Sequence, residues 1–325
     1  MNTTTDKSTK PLVSVIMAVY NCEKYIEAAV KSVLAQTENN FEIIAVNDGS
    51  TDSTVLILDA LATADSRIKV INQPNSGRPA IPRNAGISAA GGEFIAFLDG
   101  DDLYHPEKIA TLLNVMAESP EVDLVFHDFR CINEDGKPNE ETYLQAAGFH
   151  ISASSTLQLL SSGDYRCTTG FYNYMSVYLT SLHTSSVLIR KSRLDMEAVW
   201  FPEELLIGED IDLWFRLVKG GKNVFVDEVL SFYRQHGESI TRDDEKTSKG
   251  FIAAHKRNYL RGGKLFTSEE RLLCKRRLAS ECFHLGYHYS INHRSTDARQ
   301  AFMDSFSWSP SVAAVKGYLK TWILP

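Results

Sequence analysis

The sequence predicts an α/β layered fold with a largely parallel sheet. Over the first 130 of 325 residues, apolar runs suited to buried strands alternate with segments of helical periodicity. Polar clusters follow the first four of these runs, where each strand would end. Ligands of open α/β sheets bind at the carboxyl ends of the strands, so we expect these clusters to meet in one crevice.

The predicted strands of this region are continuous apolar runs, the pattern of strands buried on both faces. They cover 12–19, 41–46, 67–71, 93–98 and 122–128. Helices are predicted between them at about 22–36, up to residue 64, at 80–90 and from Pro106 onward. Asn21 is placed to cap the first helix, whose apolar residues recur at helical spacing.

The second half of the chain has a weaker pattern. Residues 131–183 are rich in Tyr and Thr and fit either an acceptor-binding face or strands and loops packed on the main sheet. SSVLIR at 185–190 predicts a strand, and 208–221 predicts a helix with an acidic start and a glycine stop. The stretch beginning at Asn223 predicts two short strands and a loop. Beyond about residue 243 the pattern is helical, and we place a domain boundary there.

Composition narrows the class of protein. With 43% hydrophobic and 23% charged residues the chain is typical of globular proteins, and its net charge of -7 argues against a nucleic-acid partner. Five cysteines without a CxxC pair indicate neither a disulfide framework nor a zinc site, which favours a cytoplasmic location. The polar residues 1–10 are predicted to be disordered, without a signal peptide. No apolar stretch approaches the ~20 residues of a spanning helix.

LDGDD, at residues 98–102, places three carboxylates at the end of the fourth strand. Asp99 and Asp101 have the spacing to hold Mg²⁺ or Mn²⁺, and a cation would offset their repulsion. An EF-hand is excluded because its fifth loop position would be Leu103. The alternative is a solvated turn before a helix, and we expect Asp102 to cap that helix. The sequence contains neither a P-loop nor a dinucleotide-binding glycine motif.

Four motifs, in this order and spacing, resemble the family 2 glycosyltransferases: SVIMAVYN, VNDGSTD, PRNAGISAAGGEFIAFLDGDD and GEDIDLWFRL. The resemblance covers about residues 11–240. It implies the GT-A fold, a nucleotide-binding, Rossmann-like and mostly parallel sheet flanked by helices, with a C-terminal helical extension. The expected division is a transferase domain at 11–242, with a donor half at 11–130 and an acceptor half at 131–242, and a helical region at 243–325.

The resemblance also implies an activity, namely metal-dependent, inverting transfer of a sugar from a nucleotide-sugar to a hydroxyl. We expect a UDP-sugar donor, Mn²⁺ or Mg²⁺ as cofactor, and a saccharide or lipid-linked glycan acceptor, as in the synthesis of cell-surface polysaccharide. The group transferred would be hexosyl or N-acetylhexosaminyl. Two other classes stay open: a nucleotide-sugar-binding module without turnover, and a metal-dependent nucleotidyltransferase.

The resemblance assigns roles to individual residues. Asp210 is the expected base, assisted by Glu209, because inverting transfer needs a carboxylate to deprotonate the acceptor hydroxyl. The expected nucleotide-sugar-binding residues are Ala18, Val19, Tyr20, Asp48, Asn75, Gly77, Arg83, Asp99, Gly100 and Asp101. The expected metal ligands are Asp101, Asp99 and His236. The alternatives are helix-dipole partners for the Glu209–Asp210 pair, an ion pair for Arg83 and a structural role for His236.

The last fifteen residues, SVAAVKGYLKTWILP, predict an amphipathic helix. Its apolar face contains Val312, Val315, Leu319, Trp322 and Ile323, with two lysines, Lys316 and Lys320, elsewhere. This face fits either peripheral contact with the inner face of the cell membrane or packing on the protein's own core. We favour packing, because two lysines make a thin polar anchor.

Overall fold

The computed structural model describes residues 11–220, 222–237 and 239–323. The predicted disorder of residues 1–10 therefore lies outside the described residues. The strands are β1 (Val13–Val19), β2 (Phe41–Asp48), β3 (Ile68–Gln73), β4 (Phe94–Phe97), β5 (Leu103–Tyr104), β6 (Leu124–Ile132), β7 (Leu157–Leu159), β8 (Tyr165–Cys167), β9 (Val187–Arg190) and β10 (Asn223–Arg234). In the described ranges they form one sheet in the order β3-β2-β1-β4-β9-β6-β10-β8-β7, with β5 paired to β10.

Helices flank this sheet and follow it. They are α1 (Ile26–Leu34), α2 (Thr54–Ala64), α3 (Ala80–Ala89), α4 (Lys108–Glu118), α5 (Tyr143–Ala146), α6 (Phe149–Ser152), α7 (Phe171–Val177), α8 (Lys191–Leu194), α9 (Glu209–Gly220), α10 (Asp244–Gly262), α11 (Ser268–Ile291), α12 (Ser295–Trp308) and α13 (Val312–Ile323). The predicted fold class, an α/β sheet with flanking helices and a C-terminal helical extension, is confirmed.

The direction of the strands changes across the sheet. β3, β2, β1 and β4 are parallel, as the alternation of strands and helices predicts. β9 is antiparallel to both of its neighbours, β4 and β6, whereas β6 and β10 are parallel. Because β9 runs in the opposite direction, its first residues lie at the same edge as the carboxyl ends of β1 and β4.

The core lies on both faces of the sheet, which explains the continuous apolar runs of the central strands. Successive side chains of a strand point to opposite faces. Ile16 of β1 belongs to one buried cluster, with Phe97 and Trp214, whereas Val15 and Met17 belong to a second cluster on helices α1 and α4. A strand that contributes to both clusters has no solvent-facing side, and so it needs apolar residues at nearly every position.

The prediction of two short strands after Asn223 is wrong. β10 is one strand of twelve residues that pairs with β6 along its whole length, with register shifts between Val226 and Ser231. The adjacent acids Asp227 and Glu228 are exposed at this irregularity. At a β-bulge two polar residues can interrupt the apolar run without ending the strand. In the sequence such an interruption looks like a turn between two strands.

The predicted cap at Asn21 is also wrong. α1 begins at Ile26, and Asn21 adopts a left-handed backbone with φ of +49°. Its side-chain oxygen accepts a hydrogen bond from the N–H of Thr51 at 2.8 Å, and its own N–H donates to Ser50 Oγ. Asn21 therefore joins the loops that follow β1 and β2, since asparagine tolerates a positive φ better than most residues.

The C-terminal helices pack against the sheet domain and against each other. Ala254, Phe266 and Cys274 belong to the same buried cluster as the sheet. A separate cluster joins α11 and α12. The domain boundary near residue 243 stays a prediction. Among the described residues no helix has both the length and the apolar character needed to cross a membrane.

The expectation that the apolar face of the last helix packs on the core is wrong. Val312, Val315, Leu319 and Trp322 are 71%, 43%, 54% and 64% exposed, while Ala314 and Thr321 on the other face are buried. The side chain of Ile323 lies outside the described residues. A Cβ added to Gly317 would lie 2.7 Å from the Phe302 ring, so small residues bring α13 close to α12. The face of α13 that packs on the protein is therefore the one with small residues, not the apolar one.

Candidate active site

A cavity of about 530 Å³ opens at the carboxyl ends of β1, β2 and β4 and at the start of α9. All residues that the sequence assigned to the donor, the metal and catalysis line it: Ala18, Val19, Tyr20, Asp48, Asn75, Gly77, Arg83, Asp99, Gly100, Asp101, Glu209, Asp210 and His236. The structure thus brings together residues from both halves of the chain. Their individual roles remain predictions.

Asp48 ends β2 and is buried. Its carboxylate accepts hydrogen bonds from Gln73 Nε2 at 2.6 Å and from both the N–H and the hydroxyl of Ser76, the latter at 2.8 Å. A Cβ added to Gly49, whose φ is +70°, would lie 2.5 Å from the backbone nitrogen of Asn75. Asp48 therefore fixes the loop after β3, and glycine at 49 permits the close approach of the two loops.

Arg83 joins the two halves of the cavity. Its guanidinium lies 2.5 Å from Glu209 Oε1 and 2.7 Å from Asp99 Oδ1, above the ring of Phe201. Burial alone would lower the pKa of Arg83, but the carboxylates of Asp99 and Glu209 raise it above its ordinary value. The ion pair given above as the alternative role of Arg83 is thus present, while its contact with the nucleotide-sugar stays a prediction.

The adjacent acids Glu209 and Asp210 have different environments. Glu209 is buried, and burial together with the Asp210 carboxylate raises its pKa to about 8 despite the Arg83 guanidinium. Asp210 is half-buried, and its carboxylate accepts from Thr184 Oγ1 at 3.2 Å and from the N–H of Ile211 at 2.8 Å. Asp210 is therefore the more accessible of the two carboxylates for a ligand in the cavity.

A backbone crossing fixes the start of α9. A Cβ added to Gly208, whose φ is +84°, would lie 2.8 Å from the carbonyl oxygen of Gly250 in α10. A Cβ added to Gly250 would lie 2.4 Å from the carbonyl oxygen of Ile207. Asp212, one turn further along α9, accepts hydrogen bonds from Arg257 and Arg261 of α10. Helix α10 thus holds the segment that presents Glu209 and Asp210 to the cavity.

His236, which follows β10, contacts the loop at 99–102, called here the aspartate loop. Its Nε2 lies 2.8 Å from Asp101 Oδ2, and its ring is 4.9 Å from the ring of Tyr25. Arg234, at the end of β10, donates from Nε to the backbone oxygen of Asp101 at 3.0 Å. β10 therefore fixes both His236 and the backbone of the loop that it contacts.

Whether these residues fit a divalent cation depends on which of their carboxylate oxygens and imidazole nitrogens can reach it. Among the described residues no group of three or more His, Cys, Asp or Glu side chains is arranged to hold a metal. Asp99 is paired with Arg83, which leaves Asp101 and His236 facing each other. A carboxylate and an imidazole suit Mn²⁺, and cations of this kind often take one or two protein ligands plus substrate phosphates. These two side chains would supply one oxygen and one nitrogen ligand, and a bound diphosphate would have to supply others.

Asp102 is not a helix cap, which corrects the sequence prediction. It is fully buried, and its carboxylate accepts from Ser185 Oγ at 2.6 Å and from the N–H of Arg234 at 3.0 Å. Burial, followed by the Asp101 carboxylate, raises its pKa well above the usual range. α4 begins only at Lys108, because the short strand β5 intervenes and pairs with β10.

The strand predicted at 185–190 begins only at Val187, because Thr184–Ser186 form a turn that the sequence pattern did not indicate. His183 and Thr184 line the cavity, and Ser185 Oγ lies 3.3 Å from the N–H of Asp99. The sequence signal was a run of small hydroxyl residues directly before the buried strand VLIR. Its importance depends on the antiparallel direction of β9, which local periodicity does not reveal.

Comparison with known proteins agrees with this arrangement. The family described as Glycosyl transferase family 2 matches residues 14–176. EpsH of Bacillus subtilis (strain 168) is 36% identical over 244 residues, which cover 73% of this chain and 64% of EpsH. Glycosyltransferase GlyG of Streptococcus pneumoniae serotype 4 is 30% identical over 236 residues, covering 72% of this chain and 74% of GlyG. The chain thus spans less than two thirds of the length of EpsH.

Solved structures show the same fold at low sequence identity. S. aureus TarS 1-349 in complex with UDP-GlcNAc has a TM-score of 0.66 and 19% identity, and the match covers 96% of this chain and 89% of that one. Mannosyltransferase PcManGT from Pyrobaculum calidifontis, in complex with GDP-Man and Mn²⁺, has a TM-score of 0.57 and 16% identity, with 98% and 81% covered. The GT-A fold and the resemblance seen in the four motifs are confirmed: the chain belongs to glycosyl transferase family 2.

Proposed function

We propose that this protein is a metal-dependent, inverting glycosyltransferase that moves a sugar from a nucleotide-sugar to a hydroxyl of a saccharide or lipid-linked glycan. The observation that carries the proposal is the shared cavity, in which the half-buried Asp210 lies with the Asp101–His236 pair. A single displacement needs a base on one side of the sugar and charge stabilisation of the leaving group on the other.

Each residue has a defined task in this proposal. Asp101 and His236 would hold Mn²⁺ or Mg²⁺, which when bound would supply positive charge to stabilise the leaving diphosphate. Asp210 takes the proton of the acceptor hydroxyl, and Arg83 holds Glu209 and Asp99 in place. The strand ends at 18–20 and 48, with the loop at 75–77, receive the nucleotide.

The donor we propose is a UDP-sugar carrying a hexosyl or N-acetylhexosaminyl group. The UDP-GlcNAc complex of TarS supports this choice, since TarS has the same fold over 96% of this chain. The GDP-Man complex of PcManGT shows that the fold also accepts a guanine nucleotide. A donor panel therefore has to include both bases.

The proposal is tested by following products with Mn²⁺ present. The chain is incubated with UDP- and GDP-sugars and with saccharide acceptors, and released nucleoside diphosphate is measured. Release of diphosphate in step with acceptor glycosylation is the expected result. Release of pyrophosphate would identify a nucleotidyltransferase, and binding of a donor without turnover would identify a binding module. Either result would overturn the proposal.

The metal assignment has its own test. Asp101→Ala should abolish the Mn²⁺-dependent rise in melting temperature caused by UDP, because a ligand of the folded state stabilises it. Asp59→Ala is the matched control, since Asp59 is exposed on α2 and does not line the cavity. A Mn²⁺-dependent shift that survives in Asp101→Ala would show that Asp101 does not hold the cation.

We also infer that α13 rests on an anionic lipid surface, such as the inner face of the cell membrane. Its apolar face is exposed, Arg299 of α12 lies 4.4 Å from the Trp322 ring, and residues 305–325 contain two lysines and no acid. Such a helix combines apolar burial with attraction to anionic headgroups. Leu319→Glu should reduce co-sedimentation with phosphatidylglycerol vesicles, whereas Leu260→Glu, at an exposed position of α10, should not. Equal binding by both variants would contradict this inference.

A further inference from the structure

We propose that the turn at Thr184–Ser186 positions both sides of the active site, with Thr184 orienting Asp210 and Ser185 fixing the aspartate loop at 99–102. This inference rests on the proposed function, because it assigns Asp210 to the acceptor and the loop to the donor and its cation. Neither residue is expected to touch the reacting atoms. They act through the carboxylates that they contact.

Thr184 and the backbone of α9 hold the two oxygens of Asp210. Thr184 Oγ1 donates to Oδ2 at 3.2 Å, and the N–H of Ile211 donates to Oδ1 at 2.8 Å. With one donor on each oxygen, rotation of the carboxylate is restricted. Thr184 is itself buried at the base of β9, so its hydroxyl is fixed by the sheet.

Ser185 contacts the aspartate loop at two points. Its hydroxyl donates to Asp102 Oδ2 at 2.6 Å and lies 3.3 Å from the N–H of Asp99. The other oxygen of Asp102 accepts from the N–H of Arg234, the residue two before His236. Ser185 and Asp102 therefore connect the loop to the end of β10, which fixes Asp101 and His236 relative to each other.

A buried lysine, Lys108, is hydrogen-bonded to the backbone of the turn at 184–186. Lys108 is fully buried, and its Nζ donates to the backbone oxygen of Ser185 at 2.6 Å and lies 3.6 Å from the centre of the Tyr104 ring. A buried amine of this kind is costly unless it has partners. This contact is made to the backbone at 185, and the hydroxyls of Thr184 and Ser185 are directed at the carboxylates of Asp210 and Asp102.

The two neighbouring hydroxyls face different carboxylates, so their removal should produce different kinetic defects. Thr184→Val keeps the shape of the side chain and should lower kcat about tenfold with little change in the KM for the donor, since it removes a hydrogen bond to the charged carboxylate of Asp210. Ser185→Ala should instead raise the apparent dissociation constants of UDP and Mn²⁺ about tenfold, measured by calorimetry.

Two controls separate positioning from general stability. Thr184→Ser retains the hydroxyl and should restore kcat to within about threefold of the wild type. Ser305→Ala is the matched control, because Ser305 is as buried as Thr184 but its hydroxyl donates to the backbone oxygen of Ala279 in the C-terminal helices, away from the cavity. It should alter neither kcat nor UDP binding selectively, whatever it does to the melting temperature.

Hydrogen exchange tests the inference without any turnover. Ser185→Ala should speed amide exchange in 99–102 but not in 209–212, and Thr184→Val should do the reverse. If the wild type transfers no sugar from any donor, the proposed function fails, and exchange alone then decides the positioning role. The inference is overturned when both variants change the same kinetic parameter, or when exchange rises equally in both segments.

Discussion

Asp210 and Glu209 are adjacent in the chain, yet their chemistry differs because of what surrounds each carboxylate. Glu209 is buried against Arg83, while Asp210 borders the cavity and is held by Thr184. Two neighbouring acids with different environments can have different roles in one reaction. The sequence alone predicts both as members of an acidic helix start, and burial is what distinguishes them.

We expect Asp210→Asn to lower the rate of transfer by a factor of about 10² to 10⁴, because the amide cannot accept the acceptor proton. Binding of UDP with Mn²⁺ should remain within twofold of the wild type, since Asp101 and His236 contact each other, while the contacts of Asp210 are to Thr184 and Ile211. Steady-state rates and calorimetry provide the two measurements. Transfer within a few-fold of the wild type would exclude Asp210 as the base.

Glu209→Gln should change how stability depends on pH. Burial, with the Asp210 carboxylate, raises the folded-state pKa of Glu209 to about 8 even though Arg83 faces it, so the folded protein binds the proton more tightly than the unfolded chain. Its contribution to stability is therefore complete below its ordinary pKa and is lost as pH rises through 8. The wild type should lose up to about 1.4 kcal/mol per pH unit relative to Glu209→Gln between pH 5 and 8, measured by urea unfolding. Parallel curves for the two proteins would contradict this.

At the scale of elements, the crossing of Gly208 and Gly250 makes the site depend on α10. Gly250→Ala adds a methyl 2.4 Å from the carbonyl oxygen of Ile207, and backbone cannot rotate away as a side chain can. We expect a loss of about 1–3 kcal/mol in stability and a lower kcat, because α9 has to shift. In the control, Gly170→Ala, the added Cβ makes ordinary contacts with Thr156 Cγ2 at 3.4 Å and Thr168 Oγ1 at 3.6 Å, so both quantities should change little. Equal effects would show that the crossing tolerates a side chain.

The parallel part of the sheet could be predicted because its strands and helices alternate locally. Each polar cluster lies at the end of its own strand. Because these strands are parallel, Asp48 and Asp99 were expected at the same edge of the sheet. The turn at 184–186 could not be found in this way, since its position depends on β9 pairing with β4 from a distant part of the chain. The buried role of Asp102 was missed for the same reason, because its partners Ser185 and Arg234 are remote in sequence.

For the whole molecule, the C-terminal helices are expected to differ in importance. Removal of residues 243–325 takes Ala254, Phe266 and Cys274 out of the main core, so this truncated chain should not unfold cooperatively. Removal of 310–325 uncovers the Phe302 ring beside Gly317 and should cost about 2 kcal/mol while a cooperative transition remains. Thermal unfolding followed by circular dichroism distinguishes the two. A cooperative transition in the chain that lacks residues 243–325 would contradict this expectation and show that 11–242 folds alone.

β9 lies between β4 and β6 in the sheet although it follows both in the chain. Strands β1 to β4 join through consecutive strand–helix units, whereas pairing Leu188 with Ala96 closes a long loop, which is slow to form. Until β9 arrives, β4 and β6 each have an edge of unpaired backbone, and such edges promote association between chains. We therefore expect the yield of refolding to fall as protein concentration rises. Because Thr184 and Ser185 join the sheet with β9, the candidate site should be among the last parts of the molecule to acquire its native structure.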